Sequence, residues 1–408
     1  MPLSRRDAIG ALGVLLRPLM TARSAAARAT AATSGGEFTL DSVYLDAAFI
    51  HPFGAFALDA ATAYAKAKHA NPQAVGPGRN ARRGAVERFA HLINAQPRDI
   101  AVVPSTMDGE NLVNAALRIG PGRGVVTDAL HYDASLALYG EQRRRGAPVG
   151  IATTRQDGRI DLADVAALIT RQTRLIAVSL VSSSTGFTHD LAELCALAHQ
   201  RDVLVYADII QAAGAIPVDV HASGVDFACC GTYKWLMGDF GTAFLYVRPD
   251  RLDKLTRVQT GWRQVRRQGE HGLPFDSPGS ALDDYSLASD AVGFFELSTP
   301  AWGSLAVVSA SLDHLGSIGV PEIQRRRQPL LDQLREELAG NGFQPLTGRG
   351  SAGPVISFAV RDAAKRFDPA LQAAAIKIST YDNRIRIAPS VYNDAADINR
   401  LVAVLKQR

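Results

Sequence analysis

The sequence predicts a layered α/β protein with a mostly parallel sheet, followed by a smaller α/β domain. Three observations carry this reading. Seven short apolar runs of strand length alternate with helical patterns between residues 99 and 247, the pattern of helices packed on a largely parallel sheet. From about Leu287 the texture changes to long helices, then two further strand-like runs and a last helix. A chain of 408 residues, 47% hydrophobic and 21% charged, has ordinary globular composition and enough material for one large core and a smaller one.

Taken in order, the strand runs are "DIAVVP", "GVVTD", "PVGIATT", "RLIAVSLVS", "VLVYAD", "DFACCG" and "TAFLYV". Helices are expected from about Gly109, about Ala134, Leu162 and Leu191. The large domain is assigned to residues 38–286, and a linking helix with the small domain to 287–408. In the latter, "EIQRRRQPLLDQLREELAGNGF" reads as a long helix stopped by Gly340 and Gly342. "PVISFAV" and "RIRIAP" read as strands, and "DAADINRLVAVLKQ" as a final helix capped by Asn393 or Asp394.

The first 29 residues read as an address label. Arg5 and Arg6 precede a short apolar run, and Ala25, Ala27 and Ala29 offer cleavage sites. The stretch "SRRDAIG" resembles a twin-arginine export signal, which implies a periplasmic or secreted protein that crosses the membrane already folded. A basic tail is the alternative, with the protein then cytoplasmic. The leader holds five arginines and one acidic residue, so the formal charge of +4 belongs to it and the rest of the chain is balanced. A neutral body gives no electrostatic reason to expect nucleic acid or an anionic membrane as partner. No later apolar run is long enough to span a bilayer.

The chemistry is expected where strands end and helices begin. Asp208 closes "VLVYAD", where an ionised carboxylate is costly unless a cation meets it. Gln211 follows one turn later, and Lys234 stands between Tyr233 and Trp235 before a glycine-punctuated turn in "GTYKWLMGDFG". A lysine alone among aromatics reads as a snorkelling side chain. A lysine must lose its proton to act as a nucleophile, and burial beside aromatic groups lowers its pKa.

Asp208, Gln211 three residues on, a strand, and then Lys234 before a glycine turn resemble the fold-type I pyridoxal phosphate (PLP) enzymes of the class V aminotransferase and cysteine desulfurase branch. The likeness runs from "YLDAAFIHP" to the last helix. It implies a mostly parallel seven-stranded sheet, pyridoxal 5'-phosphate as cofactor and a homodimer. It further implies that Lys234 forms the imine, Asp208 pairs with the pyridine nitrogen and Gln211 reaches the ring oxygen. By the same resemblance Ser105, Thr106 and Met107, in "PSTMDGENLVNAAL", hold the phosphate through backbone N–H groups at a helix start. Tyr132 in "HYDAS" covers the ring, with His131 as second choice. Ser183 contacts the cofactor oxygen, Tyr233 the phosphate, and Thr299 the phosphate of the other subunit. Arg386 in "RIRIAPSVYND" binds the carboxylate of an amino acid substrate, with Arg384 as the alternative.

The reaction is narrowed by cysteine usage. A desulfurase needs a mobile cysteine to take up sulfur, and no cysteine follows Cys230. Cys195, Cys229 and Cys230 have neither disulfide nor metal-ligand spacing and are expected to be buried. Transamination or epimerisation is the main expectation, the ending being similar to the isopenicillin N epimerase-like subgroup. β-Elimination, as in a carbon–sulfur lyase, or a PLP-binding homologue without turnover are the alternatives.

Overall fold

In the computed structural model the described residues are 36–71, 73 and 76–407. The leader at residues 1–29, with its export reading, lies outside them.

The seven expected runs form one seven-stranded sheet. Its strands are β2 (Ile100–Val103), β3 (Gly124–Asp128), β4 (Val149–Ala152), β5 (Thr173–Ser179), β6 (Leu204–Asp208), β7 (Phe227–Gly231) and β8 (Ala243–Val247). They are ordered β2-β8-β7-β6-β5-β3-β4. Only β8 runs against its neighbours; the β7-β6-β5-β3-β4 ladder is parallel. Every residue of β2, β3, β6, β7 and β8 is buried, which explains why these strands read as unbroken apolar runs rather than alternating ones.

Register brings Ser179 opposite Asp208 and Asp208 opposite Cys229, so the ends of β5, β6 and β7 meet at one rim of the sheet. The helix Thr106–Ala116 begins three residues earlier than its apolar pattern suggests, because Ser105 caps it by accepting from the Asp108 N–H at 3.1 Å. That helix crosses β7 closely at Gly109, where an added Cβ would lie 2.5 Å from Cys229 Sγ.

The C-terminal part carries a second, antiparallel sheet ordered β11-β12-β15-β14. Its strands are β11 (Gln344–Pro345), β12 (Ile356–Ala359), β14 (Ser379–Tyr381) and β15 (Arg384–Ile387). The helix Val320–Leu338 ends before Gly340 and Gly342, both at positive φ. Asp394 caps the last helix, in a reciprocal box with Asp397. Although it precedes the large sheet in sequence, β1 (Val43–Tyr44) pairs in parallel with β13 (Ile376–Lys377), and Asp46 bridges to Ala388. Val43 and Leu45 accordingly share a core with Leu334, Phe358 and Ile385. A hairpin of β9 (Val265–Gln268) and β10 (Tyr285–Leu287) carries a loop with Leu273, Phe275 and Leu282 exposed to solvent. Among the described residues no helix is long and apolar enough to cross a membrane, and no cluster of potential ligands is placed to hold a metal ion.

Candidate active site

The turn after β7 explains the lysine between two aromatics. Met237 N–H donates to Lys234 O at 2.8 Å and Gly238 N–H to Thr232 O at 2.8 Å, which folds the chain back tightly with Met237 at φ +57°. A side chain at Gly238 would meet Thr232 and Val308 at 2.8 and 3.0 Å, so the turn needs a glycine there. Trp235 is buried beneath the turn and donates its indole N–H to Gln211 Oε1 at 2.9 Å. Tyr233 stacks on Phe240, their ring centroids 4.8 Å apart. The aromatic flanks are thus anchors, and they hold Lys234 in a cavity with 8% of its surface exposed.

Burial, helped by the nearby charge of Arg386, lowers the Lys234 ammonium to about 8, although Asp208, Cys230 and Asp46 pull the other way. Asp208 sits on the same wall. Burial raises its carboxyl to about 6, moderated by the Ile210 N–H, which donates to Oδ1 at 2.9 Å, and by His131 and Lys234. Gln211 is held by two contacts, accepting from Trp235 and donating to Ala48 O at 3.0 Å, so its amide has a fixed orientation.

At the other end of the cavity lies the start of the helix Thr106–Ala116. Ser105 occupies the Asp108 amide, which leaves the Thr106 and Met107 amides as the first-turn donors aimed at an anion. Thr106 Oγ1 is itself anchored by the Gly231 N–H at 2.9 Å. An added Cβ at Gly231 would lie 2.9 Å from Ile210 Cδ1 and 3.0 Å from Thr106 Oγ1, so the helix start and the lysine strand approach through a glycine.

The cavity is lined by Ser105, Thr106, Met107, Tyr132, Ser183, Asp208, Gln211, Tyr233 and Lys234, together with Ser179 and Ile210. Nine residues picked out from the sequence therefore converge on one space. Tyr132 reaches this wall, whereas His131 is 3% exposed and does not line it. Arg386 stands just outside the lining, donating from Nη1 to Ser183 O at 3.1 Å and from Nη2 to Asp46 Oδ1 at 3.0 Å and Ser379 Oγ at 2.8 Å. Arg384 instead lies over the ring of Tyr381, 4.1 Å from its centroid. Thr299 is exposed and does not line the cavity of its own chain.

Three contributors were not singled out from the sequence. Ser179 ends β5 opposite Asp208, and the same strand-end reasoning that selects Asp208 selects it too. Asp46 is brought in by β1, and only the pairing with β13 reveals it. Glu110 is fully buried on the helix Thr106–Ala116, on a face it shares with Thr106, Gly109, Val113 and Asn114, and no local pattern sets it apart.

The donor set tests what the cavity suits: a helix start for an anion, a carboxylate at a dry strand end for a ring cation, and a buried amine of lowered basicity between them. Those are complements of a phosphorylated pyridine aldehyde, and the residues fit it. Residues 57–401 match the family described as "Aminotransferase class-V". The chain belongs to that family. Members of the class V aminotransferase family are PLP-dependent, and this chain is a PLP-dependent enzyme of the class V aminotransferase and cysteine desulfurase-like kind.

The class V chain is similar to a probable cysteine desulfurase of Methanothermobacter thermautotrophicus, 29% identical and covering 72% of each chain. It is also similar to the uncharacterized aminotransferase YcbU of Bacillus subtilis, 28% identical over 77% of this chain and 80% of that one. Among solved structures, the cysteine desulfurase CsdA from Escherichia coli shares the fold with a TM-score of 0.77 and 21% identity, over 90% of this chain and 94% of that one. A cystine C–S lyase, C-DES, solved with its product cysteine persulfide, does so with a TM-score of 0.77 and 22% identity, over 90% and 98%. These likenesses assign the fold as that of fold-type I PLP-dependent transferases.

Proposed function

We propose that this protein transforms an amino acid at its α carbon, by amino-group transfer or by epimerisation. The observation that carries the reading is the placement of Lys234 and Asp208 on one wall of the cavity, with Arg386 held just beyond it.

The roles follow from the chain's own groups. Lys234, whose ammonium burial lowers to about 8, would hold the cofactor through its neutral amine and could serve as general base at the substrate's α carbon. Ser105, Thr106, Met107 and Tyr233 would hold the phosphate, Gln211 and Ser183 the ring oxygen, and Tyr132 the ring face. Asp208 would hold the ring nitrogen, and its carboxyl becomes ionised when a cation meets it. When bound, pyridoxal phosphate supplies an electron sink for charge developing at the α carbon. Arg386 offers a planar, permanently charged donor for the substrate carboxylate.

A second reading is a carbon–sulfur lyase. It draws on the likeness to desulfurases and, in fold, to the cystine C–S lyase. All three cysteines of this chain are free and buried, and burial pushes each thiol up. None is presented as a sulfur acceptor, so on this reading sulfur leaves with the product and is not passed to the protein. Native alkylation that labels Cys230 would return the desulfurase role.

We further propose a homodimer, with Thr299, exposed in its own chain, completing the partner's phosphate site. The leader is proposed to direct export. The test of function compares visible spectra of the protein and Lys234→Ala with added cofactor, before and after borohydride, then with a panel of amino acids. A yellow band confined to the parent, fixed to the Lys234 peptide by reduction and altered by some amino acids, is expected. A spectrum unmoved by every amino acid reduces the protein to a cofactor-binding homologue.

A further inference from the structure

Behind the cavity wall runs a hydrogen-bonded chain that the roles above do not use. Glu110, on the helix Thr106–Ala116, is fully buried and receives three donors: Ser135 Oγ at 2.6 Å, Tyr139 OH at 2.7 Å and His131 Nε2 at 3.1 Å. Only an ionised carboxylate accepts from three groups without a proton of its own to place. His131 Nδ1 in turn meets Ser179 Oγ at 2.8 Å, and Ser179 both lines the cavity and stands opposite Asp208 in the sheet.

We propose that Glu110 is a positioning residue of the active site: through His131 it orients the Ser179 hydroxyl at the cavity wall and sets a positive charge behind Asp208.

The geometry gives the chain a definite sense. With Nε2 donating to Glu110, Nδ1 is the atom that differs between the neutral and the charged ring. A neutral His131 accepts at Nδ1 from Ser179, whose hydroxyl proton then points away from the cavity. A charged His131 donates at Nδ1, and Ser179 offers its proton to the cavity instead. Charged groups face the imidazole from several elements: Glu110 from its helix, Asp128 from the end of β3 and Asp208 from the end of β6, while the Tyr139 phenol packs alongside at 6.2 Å between centroids. Burial opposes charge on the ring, yet Glu110 first, and then Asp208 and Asp128, raise it above the ordinary histidine value. The Glu110 carboxyl is lowered in spite of its burial by His131, Ser135 and Tyr139. The Glu110 carboxylate at Nε2 thus favours the charged arrangement, in which the ring's charge offsets part of the cost of an ionised Asp208 in a dry site.

The inference rests on this cavity being the catalytic one, but its test does not need the cofactor. The full chain, labelled with 15N-histidine and freed of cofactor, is followed by NMR across a pH series, with His131 assigned by its loss in His131→Gln. In the parent, His131 is expected to keep both ring protons above the ordinary midpoint of about 6.5. Glu110→Gln is expected to weaken its proton affinity at least tenfold, and Glu110→Asp, which keeps the charge, by no more than about threefold. A parent His131 that is neutral at pH 7 overturns the proposal without any variant, so a misfolded Gln variant does not protect it. A folded Glu110→Gln that melts earlier but leaves the midpoint unmoved also overturns it, because a purely structural role predicts that result. An Asp variant that falls as far as the Gln variant does the same.

Discussion

Asp46 and Arg386 meet across 340 positions of chain, with Nη2 of the arginine 3.0 Å from Oδ1 of the aspartate. Both are buried, and Ser379 donates to the two aspartate oxygens at 2.9 and 2.7 Å. The guanidinium is thereby fixed beside the cavity while its Nε has no partner among the described residues. Asp46 thus orients the arginine and also competes with any carboxylate that approaches it.

The two residues are expected to act with opposite sign on ligand binding. Arg386→Gln should weaken binding of amino acid substrates by about 100-fold, the loss of a charge-assisted pair worth about 2–5 kcal/mol. Asp46→Asn should lower the melting temperature, since it leaves a buried cation unpaired, yet tighten binding of simple carboxylates about three- to tenfold. Titration calorimetry with an amino acid and with acetate separates the two, and equal weakening in both variants contradicts the competition.

Cofactor attachment should report the lowered basicity of Lys234. Only the neutral amine reacts, so the rate of appearance of the yellow band should rise with pH and level off around the value of about 8 set by burial. A rate that keeps climbing toward the ordinary lysine value of 10.5 shows an amine that is not desolvated.

Asp208 should leave a mark on stability in the cofactor-free protein. Its folded value of about 6 lies above the ordinary 3.8, so the fold holds a proton that the unfolded chain releases between these values. That contribution is fully present below 3.8 and lost as pH rises through about 6. Denaturant titrations should show stability falling across this window by about 3 kcal/mol, with the slope flattened in Asp208→Asn.

The close crossing at Gly109 predicts a coupled pair. Gly109→Ala places a methyl 2.5 Å from Cys229 Sγ and should cost about 1–3 kcal/mol by overpacking. Cys229→Ala removes the obstructing sulfur, so the double variant should recover most of the loss. Additive losses in urea unfolding would locate the strain elsewhere.

Arg327 is a buried cation with one donor satisfied, Nη2 to Ala215 O at 2.7 Å, and its plane 5.4 Å from the ring of Trp235. Burial lowers its guanidinium to about 9, and Nε and Nη1 lack partners among the described residues. Arg327→Met should therefore be neutral or stabilising by about 1–3 kcal/mol, read as an unchanged or raised melting temperature. A marked drop points to a functional use of the charge.

Much of the large sheet was legible because its strands are largely buried, five of the seven at every residue, and such strands read as continuous apolar runs. Lys234, Asp208 and Gln211 were legible for a related reason, since polar groups at the ends of such strands need a purpose. What stayed hidden depended on distant partners. Nothing local in "YLD" distinguishes Asp46 from a turn residue until β1 is paired with β13. The choice between Tyr132 and His131 could not be made from adjacency, because one residue faces the cavity wall and the other the Glu110 pocket. The helix at Thr106 was read three residues late because its first turn is polar and is set by the Ser105 cap, not by apolar periodicity.

The pairing of β1 with β13 also bears on how the enzyme comes into being. During synthesis Val43 and Tyr44 emerge long before Ile376 and Lys377, and until those arrive the early strand has no ladder to join. The large sheet can assemble on the ribosome, but the arginine that would recognise substrate and the aspartate that holds it come together only after nearly the whole chain has been released. A truncated or stalled product could thus carry Lys234 in its strand turn and still lack a seat for an amino acid. On the proposed reading, recognition of substrate waits on the C-terminal strands.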